Sequence, residues 1–195
     1  MSTTGSAAES ASAGSAAESA SAGSAVLHLA RWTVTSGSNV QSRGAIVVGS
    51  GDHQWEGSAE GNGPVDALFR AVDAALQGVL TGHPRLIGYD VHAVAEGPDS
   101  EGLVTVKIAP PATAAGPRAT GTYSGASRNV NIIAASIEAY IGAIDRLLGE
   151  AHWQGATEAA GNRKRARAAA AAGAPRRAEL DGEAADHDTT AWFER

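Results

Sequence analysis

Cysteine is missing from all 195 residues, and aromatic side chains make up only 5% of them. Without cysteine there can be no disulfide, no thiolate nucleophile and no cysteine-ligated zinc. Long apolar runs are missing too: none approaches the roughly 18 residues that span a bilayer. The start lacks the basic-then-apolar order of a secretory signal. No membrane association is therefore expected, and the cytoplasm is the expected compartment. Positive charge is in deficit, with 15 Lys and Arg against 21 Asp and Glu and a net charge of −6. That balance gives no reason to expect nucleic acid as a partner.

Catalytic patterns are equally sparse. The histidines His28, His53, His83, His92, His152 and His187 are scattered. They lack the close spacing of a metal site, so no metal and no cofactor are expected. Gly49–Gly51, GSG, is a lone turn and not a phosphate loop. Ser127 and Ser136 fit capping and helix packing better than nucleophilic catalysis. No catalytic residue is expected in this chain.

Three segments differ in their physics. Residues 1–25 are almost all Ala, Ser, Gly and Glu, and GSAAESASA at Gly5–Ala13 recurs unchanged at Gly14–Ala22. A repeat without large apolar residues has nothing to bury by stacking, which predicts a disordered linker. Residues 150–195 carry a basic cluster, NRKRAR at Asn162–Arg167, then an alanine run. An acidic stretch with Glu179, Asp181, Glu183, Asp186 and Asp188 follows. This composition predicts a disordered charged tail, in which the alanines support at most a transient helix. The globular part is then residues 26–149.

Within that part a pattern occurs twice. Val26–Thr35, Gly44–Val48 and Trp55–Glu60 read as strands, the last with Trp55, Gly57 and Ala59 on one face. After GNGP at Gly61–Pro64, the residues Val65, Leu68, Phe69, Val72, Leu76, Val79 and Leu80 form one helix face. The order then repeats. Leu86–Ala95 places Ile87, Tyr89, Val91 and Ala93 on one side. Leu103–Ala109 alternates Val104, Val106 and Ile108 with Thr105 and Lys107, and Ala119–Ser124 is a third strand. A glycine turn leads to a second helix with Ile133, Ile137, Tyr140, Ile141, Ile144, Leu147 and Leu148 on its apolar face. The expected fold is α+β: two βββα units forming one domain, helices packed on mainly antiparallel sheet.

Both helix starts carry polar and conformational signals. Pro64 suits the first helical position, Gly63 or Asn62 the cap, and Asp66 the first turn. Asn129 or Ser127 is the candidate cap of the second helix. Either start can simply begin a helix. Two glycine-containing turns at equivalent places can also offer free N–H groups to a carboxylate beside apolar residues, an arrangement suited to an amino acid.

The segments GNGPVDALFRAV at Gly61–Val72, LIGYDVHAV at Leu86–Val94, GPDSEGLVTVKI at Gly97–Ile108 and NVNIIAASIEAYIGAIDRLL at Asn129–Leu148 occur in the order found in one family. They resemble the C-terminal regulatory domain of 2-isopropylmalate and citramalate synthases. The resemblance implies a pair of βββα units that forms a homodimer. It also implies an effector, leucine or isoleucine, bound at the dimer interface near the helix starts. The matching positions are Asn62, Gly63, Pro64, Val65 and Asp66; Leu86, Tyr89 and Ala93; and Asn129, Val130, Asn131 and Ile132. The first and last groups would frame the effector's polar end, and the middle group would shape the apolar part. The family usually has Ser or Thr where Asn129 stands and often Asp where Asn131 stands, so a charge that could meet an ammonium is absent here. The synthases' metal-binding His-x-His pair and their barrel of about 250 residues are also absent. The resemblance therefore implies a stand-alone regulatory domain of branched-chain amino-acid biosynthesis. The alternatives are a ligand-free dimerisation module, or the regulatory subunit of a split synthase whose catalytic barrel lies on another chain.

Overall fold

The computed structural model describes residues 26–97 and 100–173. The expected linker over residues 1–25 and the acidic stretch from Glu179 onward lie outside the described residues. The first unit comprises β1 (His28–Gly37), β2 (Val40–Ser50), β3 (His53–Gly61) and α1 (Pro64–Leu80). The second comprises β4 (Arg85–Ala93), β5 (Gly102–Ala109), β6 (Tyr123–Asn129) and α2 (Ile132–Leu148). Each unit contributes one antiparallel sheet, in the orders β1-β2-β3 and β4-β5-β6. The doubled βββα order is therefore present.

Alternation decides which side of each sheet faces the helices. Val104, Val106 and Ile108 of β5 are all fully buried, while Thr105 and Lys107 point outward. In the first sheet Val48 pairs with Trp55, Ile46 with Gly57 and Gly44 with Ala59. The expected Trp55–Gly57–Ala59 face is thus the core face. Leu68, Val72, Leu76 and Leu80 of α1 and Ile137, Ile144 and Leu147 of α2 are fully buried in one continuous core with these strands.

Two glycines set how closely the helices approach. A Cβ on Gly57 would overlap the Ala71 carbonyl and the Ala75 amide of α1. A Cβ on Gly125 would overlap the Ala139 carbonyl and the Ala143 amide of α2. Each helix therefore lies almost in backbone contact with the last strand of its own unit, over small alanine side chains.

Three expectations need correction. The third strand of the second unit is not Ala119–Ser124. Gly116–Ala119 forms a short 3-10 turn, Gly121 has φ 106°, and β6 begins at Tyr123. The expected glycine turn at Gly125 is the strand position just described, kept small by helix contact. On β4, Leu86 pairs with Ile108, Tyr89 with Val106 and Val91 with Val104, with a bulge between Leu86 and Gly88. The extra residue leaves Ile87 without a partner on β5 and places Leu86 with Tyr89, Val91 and Ala93. Finally, the expected charged tail begins with structure: α3 spans Ala156–Gly173. Its entry is anchored by Trp153, 1% exposed, and by buried Ala160. Gly161 lies against the His53 ring, Arg163 donates to the Gly78 carbonyl at 3.0 Å and Lys164 to the Gln54 carbonyl at 2.6 Å.

The glycine contacts give a direct test. Gly125→Ala is expected to destabilise by about 1–3 kcal/mol through overpacking. Gly78→Ala, where a Cβ meets nothing within 4 Å, should instead stabilise by about 0.5–1 kcal/mol. Urea denaturation midpoints of the two variants decide it; equal responses would show that close helix approach is not the constraint.

Candidate functional site

α1 starts at Pro64, with Gly63 as an extended cap that offers no side-chain acceptor. Asp66 supplies the acceptor instead. Its carboxylate takes the Asn62 N–H at 2.9 Å and the Arg70 Nε at 3.0 Å. The Asn62 hydrogen bond foremost, and then Arg70, hold this carboxyl below the usual carboxylate range. Val65 is partly buried against the core.

At α2 neither candidate cap holds. Asn131 is the cap, accepting from the Ile133 N–H at 3.0 Å and the Ala134 N–H at 3.3 Å. Asn129 accepts from the Asn131 N–H at 2.9 Å, and Ser127 donates to Glu138 at 2.6 Å. Two asparagines two residues apart can each cap, and the second wins because its oxygen reaches two free amides at once. The side-chain oxygen of Asn131 is thus engaged within the chain.

Beside the α2 start lies a sheet face that the two helices do not cover. Leu86 (51% exposed), Tyr89 (38%) and Val91 (42%) of β4 stand on the helix side of the second sheet. Ala93 pairs with Gly102, and Gly102 with Asn129. Ile132 folds its Cδ1 over Gly102. The β4 group and the α2 start are therefore neighbours, Ile132 extends the same apolar surface, and Val130 two residues before it is 62% exposed. Contiguous exposed apolar surface of this kind marks an interface or a ligand face.

Tyr89 ties the parts together. Its hydroxyl lies 2.8 Å from Ser136 Oγ on α2, and its ring meets Phe69 of α1 edge-on with centroids 6.1 Å apart. Phe69 lies one turn after Val65 on α1. Ser136 donates in turn to the Ile132 carbonyl at 2.6 Å. With Ser136 donating there, the Tyr89 hydroxyl is the donor in their shared bond.

Sequence reasoning missed the layer behind Tyr89. Phe69 stacks on Tyr140 with centroids 4.3 Å apart, and the Tyr140 hydroxyl donates to Asp73 at 2.6 Å. His83 Nδ1 stands 3.7 Å from the other Asp73 oxygen. Burial raises the Asp73 carboxyl above its usual range, against the opposing pull of Tyr140 and His83. Burial, then the neighbouring carboxylate, keeps the Tyr140 phenol protonated. The signal for Ser136 and Tyr140 was a polar pair at i and i+4 on an otherwise apolar helix face. Among the described residues no group of three or more His, Asp or Glu side chains could hold a metal ion. What the face offers is apolar contact flanked by hydrogen-bonding groups.

A doubled βββα core with an uncovered apolar strand beside the α2 start defines a binding and association module. Comparison with known proteins gives its family. The profile of the LeuA allosteric (dimerisation) domain matches residues 9–148, and the chain belongs to that family. It is 38% identical over 93 residues to the 2-isopropylmalate synthase of Salinibacter ruber, which covers 48% of this chain and 15% of that protein. To the 2-isopropylmalate synthase of Ruminiclostridium cellulolyticum it is 35% identical over 117 residues, 60% of this chain and 21% of that protein. It is 33% identical over 126 residues to a candidate (R)-citramalate synthase of Methanoculleus marisnigri, 65% of this chain and 23% of that protein. The chain thus spans less than a quarter of the length of these relatives.

The buried carboxyl yields a prediction with a definite sign. Because burial raises the Asp73 pKa, the folded protein holds that proton more tightly than the unfolded chain. Its contribution is complete below the ordinary carboxylate range and declines as pH rises through the raised value. Asp73→Asn keeps an acceptor for Tyr140 and removes the buried charge. It should be at least as stable as the parent at neutral pH and show a flatter decline above the carboxylate range. Denaturation midpoints across pH test this, and a variant clearly weaker at neutral pH would contradict it.

Proposed function

We propose that this chain is an amino-acid-responsive dimerisation module, binding leucine or isoleucine against the β4 face in branched-chain amino-acid biosynthesis. The observation that carries this reading is the position of Tyr89. It sits on the uncovered apolar face and contacts both helices near their starts. In this reading the effector's aliphatic side chain packs on Leu86, Tyr89 and Ala93. Its charged end lies toward Asn62, Gly63, Pro64, Val65 and Asp66 on one side and Asn129, Val130, Asn131 and Ile132 on the other. Burying a leucine side chain contributes roughly 1.5–3 kcal/mol, so the polar end must supply much of a useful affinity. The cytoplasm is the compartment this role calls for. The partners are a second copy of the chain and a separate catalytic synthase chain that receives the signal.

A second reading, a dimerisation module without effector, is supported by Asn131. Its oxygen is engaged with the Ile133 and Ala134 amides, and an amide brings no charge to an ammonium group.

Titration with leucine, isoleucine and valine separates the two. Binding by the full chain should add about 2.7 kcal/mol of stability at a hundredfold excess over Kd. Tyr89→Ala should abolish the response. No heat and no thermal shift with any of the three amino acids would leave the second reading standing.

A further inference from the structure

The outer face of the first sheet carries a concavity separate from the β4 face. Register across β1, β2 and β3 sets Arg31, Val47 and Glu56 in one row. Thr33, Ala45 and Ser58 form a parallel row two positions away. The row between them, Trp32, Ile46 and Gly57, belongs to the core face. Because Ala45 and Ser58 are small, a hollow of about 430 Å³ opens above the middle row. That size suits a small molecule.

The charges around this hollow are opposite and separate. Arg31 and Glu56 stand on the two outer strands with Val47 between them. Among the described residues neither takes part in an ion pair. Further along the same face, Arg43 and Glu60 sit on adjacent strands and do pair. The difference is distance: neighbouring strands lie about 4.8 Å apart, so two intervals separate Arg31 and Glu56 by roughly 10 Å at the backbone. Val47 points outward yet is only 8% exposed, which makes it a sheltered apolar floor. The second sheet lacks this arrangement. Its equivalent row is Gly88, Lys107 and Ser124, with a cation where the first sheet has its floor and no charge on either side.

We propose that this hollow binds a short zwitterion with its charges at opposite ends, of the dipeptide class. The carboxylate meets the Arg31 guanidinium and the ammonium meets the Glu56 carboxylate. The Thr33 and Ser58 hydroxyls serve the peptide group, and Val47 and Ala45 contact its apolar part. A free α-amino acid carries both charges on one carbon and cannot reach both walls. The site is therefore independent of the effector reading for the β4 face.

Amide chemical-shift mapping of the full chain with glycyl-leucine tests it. Shifts are expected at Arg31–Thr33, Ala45–Val47 and Glu56–Ser58. Arg31→Gln and Glu56→Gln should each weaken binding by about tenfold or more. Both residues are exposed, and circular dichroism should confirm that the variants keep the fold. N-acetylated glycyl-leucine should bind more weakly than the free peptide. No shifts at these residues with up to about 10 mM peptide would overturn the proposal. So would full affinity in both variants, or equal affinity of this face for free leucine. Shifts confined to the surroundings of Tyr89 would also overturn it, while leaving the effector reading intact.

Discussion

A single helix cannot cover a three-stranded sheet, and the two glycine contacts decide which strand stays bare. Gly57 and Gly125 let α1 and α2 settle onto the last strand of their own units, where any side chain would collide with helix backbone. Close contact there draws each helix over the second and third strands and away from the first. The core faces of β1 and β4 must then be covered by something else or left open.

The two units resolve this differently. Leu29, Trp32 and Val34 of β1 are partly buried against the common core, and the Leu27 N–H donates to Asp145 of α2 at 2.8 Å. The second helix thus helps to shelter the first unit's bare strand. Among the described residues β4 has no such shelter along its length: Leu86, Tyr89 and Val91 keep a third to a half of their surface exposed. Tyr89 alone is fastened, edge-on to Phe69 and hydrogen-bonded to Ser136. Behind it Phe69, Tyr140 and Asp73 form a packed polar-aromatic stack linking the two helices. Any molecule that presses on Tyr89 therefore presses on both helices.

Much of this architecture was legible in the residue pattern. The two 17-residue helices have apolar faces that are unbroken at the helical period, and β5 alternates from Val104 to Ile108. Where reading failed, a single residue had two physical uses. Glycine marks turns but also close approach, so Gly125 read as a loop. Alternation holds only until a bulge adds a residue, and nothing in LIGYD marks Ile87 as the extra one. Asn129 and Asn131 are equally good caps by composition, and only geometry shows which oxygen reaches the helix amides. α3 has no apolar stripe to announce it. It is held by Trp153, Ala160 and two cations that reach backbone carbonyls. The candidate site residues drew on resemblance more than on pattern, yet the bulge does align Leu86, Tyr89 and Ala93 on one face.

In the proposed reading the effector lies at a dimer interface, so the bare β4 face that receives it would also receive a second copy of the chain. Light scattering of the full chain and of Val91→Glu measures this directly. Val91 is 42% exposed on that face, so a carboxylate there should leave the fold intact while placing charge in the interface. The account predicts a dimeric parent and a monomeric variant with an unchanged circular dichroism spectrum. A monomeric parent, or a variant that remains dimeric, would contradict it.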